Sequence, residues 1–123
     1  MMKALLSSMV LIIGMSAVTN TALAWGALAI DSNQGTAYGV SYDYPTAQAA
    51  DARAIQECGA GCRVVKNFAT GCGAYAADQA ANGVAYGWGA AATESEAKAV
   101  ALGYCNQYGG KECIIRAWSC NTH

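Results

Sequence analysis

An internal repeat constrains this chain more than any other feature of its sequence. Residues 25–72 and 73–120 each contain two short β-prone runs, an alanine-rich segment and three cysteines, in the same order. Gly26 matches Gly73 and Gly39 matches Gly87, offsets of 47 and 48 residues. A match of this length predicts two structural units with the same order of secondary-structure elements.

Each copy opens with two short runs of small or β-prone residues that are separated by turn-forming residues. In the first copy the runs are residues 26–31 and 35–42, and in the second copy they are residues 73–78 and 83–89. Asn, Gly and Ser residues between such runs are typical of hairpin turns. The sequence therefore predicts a β-hairpin at the start of each copy.

A helix is predicted after each hairpin. Thr46 and Thr93 stand where an N-cap residue is expected, and Thr93 to Glu96 match the capping-box pattern. Small residues follow at helical spacing and predict one narrow apolar face in each helix. These residues are Ala47, Ala50, Ala54 and Cys58 in the first copy, and Ala97, Ala101 and Cys105 in the second.

A third strand follows each helix, from Arg63 to Phe68 and from Ile114 to Trp118. The predicted fold class is therefore α+β, with two tandem β-β-α-β repeats that form a mostly antiparallel sheet with two helices. Arg63, Lys66 and Arg116 on these strands are interpreted as solvated edge charges.

The first 24 residues resemble a cleavable export signal. Met1-Met2-Lys3 is a short positive segment, residues 4–15 are mostly apolar, and Ala22-Leu23-Ala24 fits the small-x-small pattern that signal peptidase accepts. The apolar run is too short to span a bilayer. We therefore predict a single mature domain over residues 25–123, which is periplasmic or secreted and is not inserted in the membrane.

Charge and histidine content exclude several functions. Removal of Lys3 with the signal leaves 6 Lys and Arg residues against 8 Asp and Glu residues, so the mature chain lacks the basic character that nucleic-acid binding needs. The only histidine is the last residue, His123, which removes most catalytic arrangements based on an imidazole.

The six cysteines occupy matching places in the two copies. In an exported chain they predict a disulfide framework, and the repeat favours the pairs Cys58–Cys62, Cys105–Cys113 and Cys72–Cys120. The last pair would join the two copies. A metal site is disfavoured because C-x2-C pairs and a partner histidine are lacking, and no cofactor is predicted.

Asp31 and Asp78 end the first strand of each copy. Two symmetric carboxylates could act as an acid and base pair, but their position before a turn favours a structural role in an Asx-type turn. Residues 87–92, Gly-Trp-Gly-Ala-Ala-Ala, fit the G-x-G-x-x-A pattern of phosphate-binding turns. Close packing of strand and helix is the favoured explanation of these glycines.

The second strand of each copy alternates between large and small side chains. Tyr38, Tyr42, Tyr86 and Trp88 point to one face, and glycine, alanine and serine point to the other. If the alanine-rich helices cover the small face, the aromatic face is left to bind a glycan or a protein. The alternative, weighed equally, is that these rings fill the core.

The repeated Gly-x-x-Ala-x-Asp opening, the Tyr-Gly of the second strand, and the helices that end in Cys58 and Cys105 resemble a secreted bacterial family, the domain of unknown function 4189. The resemblance covers essentially the whole mature chain. It implies a small exported domain with paired cysteines and implies no activity or catalytic residue.

We therefore expect a non-enzymatic exported module that binds a protein or a cell-envelope polymer. An inhibitor or immunity protein against a secreted hydrolase is the alternative hypothesis. A hydrolase that uses Asp31 and Asp78 is least favoured, because the sequence contains no nucleophile motif and no metal-ligand cluster.

Overall fold

The computed structural model describes residues 24–31 and 36–122. Within these residues the order β-β-α-β occurs twice. The predicted signal peptide up to residue 23, the predicted turn at residues 32–35 and His123 lie outside the described residues.

The two units have matching strands and helices. The first unit contains β1 (Trp25–Asp31), β2 (Tyr38–Tyr44), α1 (Ala47–Cys58) and β3 (Cys62–Ala69). The second unit contains β4 (Cys72–Asp78), β5 (Tyr86–Ala91), α2 (Glu94–Gln107) and β6 (Cys113–Cys120). The predicted hairpins, helices and third strands are all present, with ends that shift by one to three residues.

Each unit forms its own antiparallel sheet of three strands. The strand order is β2-β1-β3 in the first sheet and β5-β4-β6 in the second, so the first strand of each unit is the central one. The predicted α+β class and order of elements are confirmed. The strands divide between two sheets instead of forming one.

Both helices begin at the predicted threonine caps. The N–H of Ala49 donates to Thr46 Oγ1 at 3.1 Å, and the N–H of Glu96 donates to Thr93 Oγ1 at 3.2 Å. Each bond satisfies a backbone donor that the first helical turn leaves without a partner. The Thr93 hydroxyl also donates to the Glu96 carboxylate at 3.1 Å.

The helices pack on the small-residue face of each sheet, as predicted. Ala50 and Ala54 of α1, and Ala97, Ala101 and Cys105 of α2, have no exposed surface. A Cβ atom added to Gly87 would lie 2.5 Å from the carbonyl oxygen of Ala101, and Gly39 is equally close to α1. Glycines on these strands thus permit helix and strand backbones to approach closely.

The opposite faces of the two sheets pack against each other. Leu28, Ile30, Phe68 and Tyr75 are buried between them and form what we call the intersheet core. The Phe68 ring lies against both Gly26 of β1 and Gly73 of β4. The result is four layers in the order helix, sheet, sheet, helix.

The six cysteines form the three predicted pairs, Cys58–Cys62, Cys105–Cys113 and Cys72–Cys120. The first two connect the end of a helix to the start of the following strand. The third joins β4 to β6 within the second sheet, because Cys72 is the first residue of β4, so the prediction that it joins the two units is wrong. Such bonds are compatible with an oxidising, extracytoplasmic environment.

Candidate binding groove along strand β5

The two aspartates singled out from the sequence both accept hydrogen bonds from backbone N–H groups. Asp78 accepts hydrogen bonds from the N–H groups of Ala80 at 3.0 Å and Glu112 at 2.9 Å. These backbone hydrogen bonds, that of Ala80 first, lower the pKa of the Asp78 carboxyl below its ordinary value. Asp31 accepts from the N–H of Ala37 at 3.2 Å. The bond from Ala80, two residues on, fits the predicted Asx-type turn at Asp78, whereas the bond to Asp31 comes from six residues on.

The Gly-Trp-Gly segment also has a packing explanation. Gly87 is buried against the backbone of α2, and a Cβ atom added to Gly89 would lie 2.5 Å from Val100. Any side chain at these two positions would push α2 away from the sheet. The structure therefore supports close strand–helix packing as the reason for these glycines.

Packing of the two sheets against each other covers part of the predicted aromatic face. Tyr38, Tyr86 and Trp88 contact the intersheet core and are partly buried, whereas Tyr42 is 51% exposed. Of the two interpretations weighed from the sequence, the core interpretation fits Tyr38, Tyr86 and Trp88 in part, and the exposed interpretation fits Tyr42. The alternation of large and small residues correctly predicted which side chains share a face of each sheet. The opposing sheet covers most of that face.

An open groove runs along the outer edge of β5, where the strand meets α2. Its volume is about 420 Å³. We call it the aromatic groove, and its lining consists of residues 86–90 of β5, Val100, Tyr104 and Tyr108 at α2, and Lys66 of β3. It thus combines a sheet edge, a helix flank and one side chain from the other unit.

Two pairs of aromatic rings flank this groove. The rings of Tyr86 and Trp88 stack with centroids 5.9 Å apart, and the rings of Tyr104 and Tyr108 stack with centroids 6.3 Å apart. Tyr104 is 45% exposed and Tyr108 is 67% exposed. Exposed aromatic rings grouped in a concave surface are typical of interaction sites, because they offer large rigid contact area and a polar hydroxyl.

The charge in the aromatic groove has one sign. Among the described residues of its lining, Lys66 is the one charged side chain. Lys66 is exposed and belongs to an edge strand, as the sequence predicted. Lys66 thus adds one cationic group to a groove whose walls are otherwise apolar and aromatic.

The first unit has a groove at the equivalent place with different chemistry. Gly39 packs on Ala54 as Gly87 packs on Ala101, so Arg53 and Glu57 of α1 correspond to Val100 and Tyr104 of α2. Arg53 and Glu57 form an ion pair at 2.5 Å in this first groove. The β2 strand also contributes tyrosine rings to the first groove, so the contrast lies on the helix, where an ion pair stands in place of Val100 and Tyr104.

The patterns read from the sequence did not indicate the residues that α2 contributes to the aromatic groove. Val100, Tyr104 and Tyr108 recur every four residues, which places them on one flank of α2 beside the buried alanine face. An alignment of the two copies does indicate them, because Arg53 and Glu57 of the first helix match Val100 and Tyr104 of the second. Alanine periodicity alone located the packing face and not this flank.

Residues 24–31 and 36–122 contain no group of three or more His, Cys, Asp or Glu side chains that could hold a metal ion. No helix within the same residues is long and apolar enough to cross a membrane.

The fold and the three disulfide bonds define a small α+β protein that consists of two β-β-α-β units. The chain belongs to the family described as "Domain of unknown function (DUF4189)", whose model matches residues 25–120. The resemblance seen in the sequence is thus confirmed, and the family description names no activity.

Mycobacterial proteins are similar to part of this chain. Protein Rv1269c of Mycobacterium tuberculosis and Protein Mb1300c of Mycobacterium bovis are each 44% identical to it over 63 residues, which cover 50% of this chain and 48% of each relative. The chain therefore spans about half the length of the curated relatives it matches.

A solved structure shares the architecture. The NMR structure of Rv1813c from Mycobacterium tuberculosis superposes with a TM-score of 0.57 at 22% sequence identity, over 98% of this chain and 99% of that one. At this identity the similarity concerns the fold alone.

Proposed function

We propose that this protein is an exported, non-enzymatic binding module that acts in the periplasm or outside the cell and holds its partner in the aromatic groove. Its partner is a protein or a cell-envelope polymer. The observation that carries the proposal is the difference between the two helix flanks, since this flank bears the Arg53–Glu57 ion pair in the first unit and two stacked, exposed tyrosine rings in the second.

Packing within the molecule does not explain the exposed rings of α2. Tyr104 and Tyr108 lie on the solvent flank of the helix, while the alanine face of α2 makes the contact with the sheet. Tyr and Trp side chains supply much of the binding energy of interfaces when they are grouped at the centre of a contact surface. The disulfide bonds support the extracytoplasmic part of the proposal.

A pull-down with matched variants tests this function. The purified protein, the double variant Tyr104→Ala/Tyr108→Ala and the control double variant Arg53→Ala/Glu57→Ala are each used to capture material from envelope extract and from culture supernatant. The control removes two exposed side chains from the equivalent groove of the first unit. All three proteins should fold, because surface substitutions of this kind usually change stability by about 0.5 kcal/mol or less.

The expected result is a captured partner that the control variant retains and the tyrosine variant loses. Equal capture by all three proteins would place binding elsewhere on the surface. Loss with the control variant alone would assign the function to the first groove.

A further inference from the structure

The β5 edge offers unpaired backbone groups along the floor of the aromatic groove. The N–H of Asp78 donates to the carbonyl of Ala85 at 2.9 Å, so Ala85 faces β4. Pairing continues without a register shift from Tyr86 to Ala91. The N–H and C=O groups of successive residues in a strand point alternately to its two sides. Those of Tyr86, Trp88 and Ala90 therefore point away from β4 and into the groove.

The β2 edge is protected against strand pairing. A register shift interrupts its pairing with β1 near Trp25, and Asp43 has a positive φ of 64°. Asn121 and Thr122 cover this end: the Asp43 N–H donates to Asn121 Oδ1 at 2.8 Å, and the Thr122 N–H donates to Asp43 Oδ1 at 2.7 Å. Bulges and covering segments are standard protection for sheet edges.

The β3 and β6 edges are protected as well, and β5 is not. Each of these two strands contains a register shift, and they carry Arg63, Lys66 and Arg116. By contrast β5 reads Tyr-Gly-Trp-Gly-Ala-Ala, with continuous pairing and no charged residue. Of the four edges in the described residues, β5 is the one suited to accept another strand.

From this edge, and resting on the proposed function of the aromatic groove, we infer that the ligand is an extended polypeptide segment that adds to β5 as a fourth strand of the second sheet. Main-chain hydrogen bonds to Tyr86, Trp88 and Ala90 give affinity in this mode, and pockets for alternate side chains give specificity. The groove offers a surface on each side of the added strand. Val100 and Tyr104 line the side nearer the helix. The side nearer the first sheet is lined by Tyr86, Trp88 and Lys66.

The charge of the groove selects a segment of another protein over a second copy of this chain. Two copies joined antiparallel at β5 by a twofold axis perpendicular to the sheet would place both Lys66 side chains on the same face, and neither groove lining would offer a carboxylate to pair with them. A segment with apolar side chains on one face and a carboxylate on the Lys66 face complements the groove.

A peptide-display selection tests the inference. A library of short random peptides is selected on the purified protein, and the affinity of the selected peptides is measured for wild type, Ala90→Pro and Ala90→Ser. Proline at residue 90 removes the outward N–H and leaves the hydrogen bonds to β4 in place. Edge strands tolerate proline at such outward-facing positions. Serine retains the N–H and serves as the matched control.

The expected peptides alternate apolar and acidic residues and bind Ala90→Pro about tenfold more weakly than Ala90→Ser, or worse, as loss of a backbone hydrogen bond and a steric block require. Amide hydrogen exchange of the wild-type complex gives a second measurement that does not depend on the proline variant. The amides of Tyr86, Trp88 and Ala90 should exchange more slowly when the peptide is bound.

Three outcomes would overturn strand addition. Peptides that lose affinity with Tyr104→Ala but leave the β5 amides and the Ala90→Pro affinity unchanged would keep the groove as binding site and refute this mode. Strand addition would also be refuted if no peptide were selected although the pull-down partner is lost with Tyr104→Ala/Tyr108→Ala. Protection of the same amides by concentration-dependent dimerisation would show that a second copy is the occupant.

Discussion

Phe68 and Ser119 hold equivalent register positions in the two sheets, and only Phe68 fills the space between them. Phe68 pairs with Gly26 across β1 and β3, while Ser119 pairs with Gly73 across β4 and β6. The Phe68 ring covers both glycines, and the Ser119 hydroxyl donates to the carbonyl of Ser41 at 3.3 Å. A second ring at Ser119 would occupy space that Phe68 already fills, so the two units are complementary at this point and not identical.

Replacement of Phe68 by alanine should therefore destabilise both sheets together. The ring is 5% exposed and contacts glycines that cannot fill the cavity it leaves. The expected loss in the free energy of unfolding is about 3–5 kcal/mol, typical of buried aromatic residues. Urea denaturation of Phe68→Ala and of the exposed control Tyr42→Ala measures the difference, and equal losses in the two variants would contradict the intersheet position of Phe68.

Alanine substitutions at two glycines should have opposite effects. In Gly87→Ala the new Cβ atom overlaps the backbone of α2 at Ala101 and Cys105, so we expect a loss of about 1–3 kcal/mol from overpacking. In Gly103→Ala, within α2, no atom lies near the new methyl group, and better helix propensity should add about 0.5–1 kcal/mol. Thermal unfolding of the two variants tests the sign of each effect, and a tolerated Gly87→Ala would show that α2 can move from the sheet.

Much of the fold could be predicted because its signals are local. The threonine caps, the alanine periodicity and the turn residues each act within a few positions, and the repeat made every assignment twice. The cysteine pairs followed from the same repeat.

The division into two sheets could not be predicted, because it depends on contacts between the units. Alternation in β2 and β5 shows which residues share a face, but not what covers that face. The contact of Phe68 with Gly73 joins residues from different sheets, and no local pattern marks it. The aromatic groove was missed for a related reason, since Lys66 and Tyr104 become neighbours only after the sheets pack together.

Export should remove the first 24 residues. The Ala22-Leu23-Ala24 pattern predicts cleavage before Trp25, which is the first residue of β1. Intact-mass measurement of protein from the producing cell should give a chain that starts at Trp25. Recovery of the full-length chain from the membrane fraction would contradict cleavage.

The oxidised protein should contain no free thiol. Peptide mapping without reduction should recover Cys58 with Cys62, Cys105 with Cys113, and Cys72 with Cys120. Removal of the last pair should cost more stability than removal of the first, because a loop closed over 48 residues restricts the unfolded chain more than one closed over 4. A peptide that links Cys58 to Cys105 would refute this pairing.

Acid should weaken the loop that Asp78 holds. Its hydrogen bonds with the Ala80 and Glu112 amides favour the carboxylate and lower the pKa of Asp78 in the folded protein below the ordinary value of 3.8. A lowered pKa means that the ionised side chain stabilises the fold above the ordinary pKa, and that this stabilisation is lost as the pH falls through 3.8 towards the folded-state value. The stability difference between wild type and Asp78→Asn should therefore be largest near neutral pH and should shrink in acid, as urea denaturation at a series of pH values would show. Titration of the Asp78 carboxyl carbon by NMR measures the same effect directly, and a midpoint at or above 3.8 would contradict it.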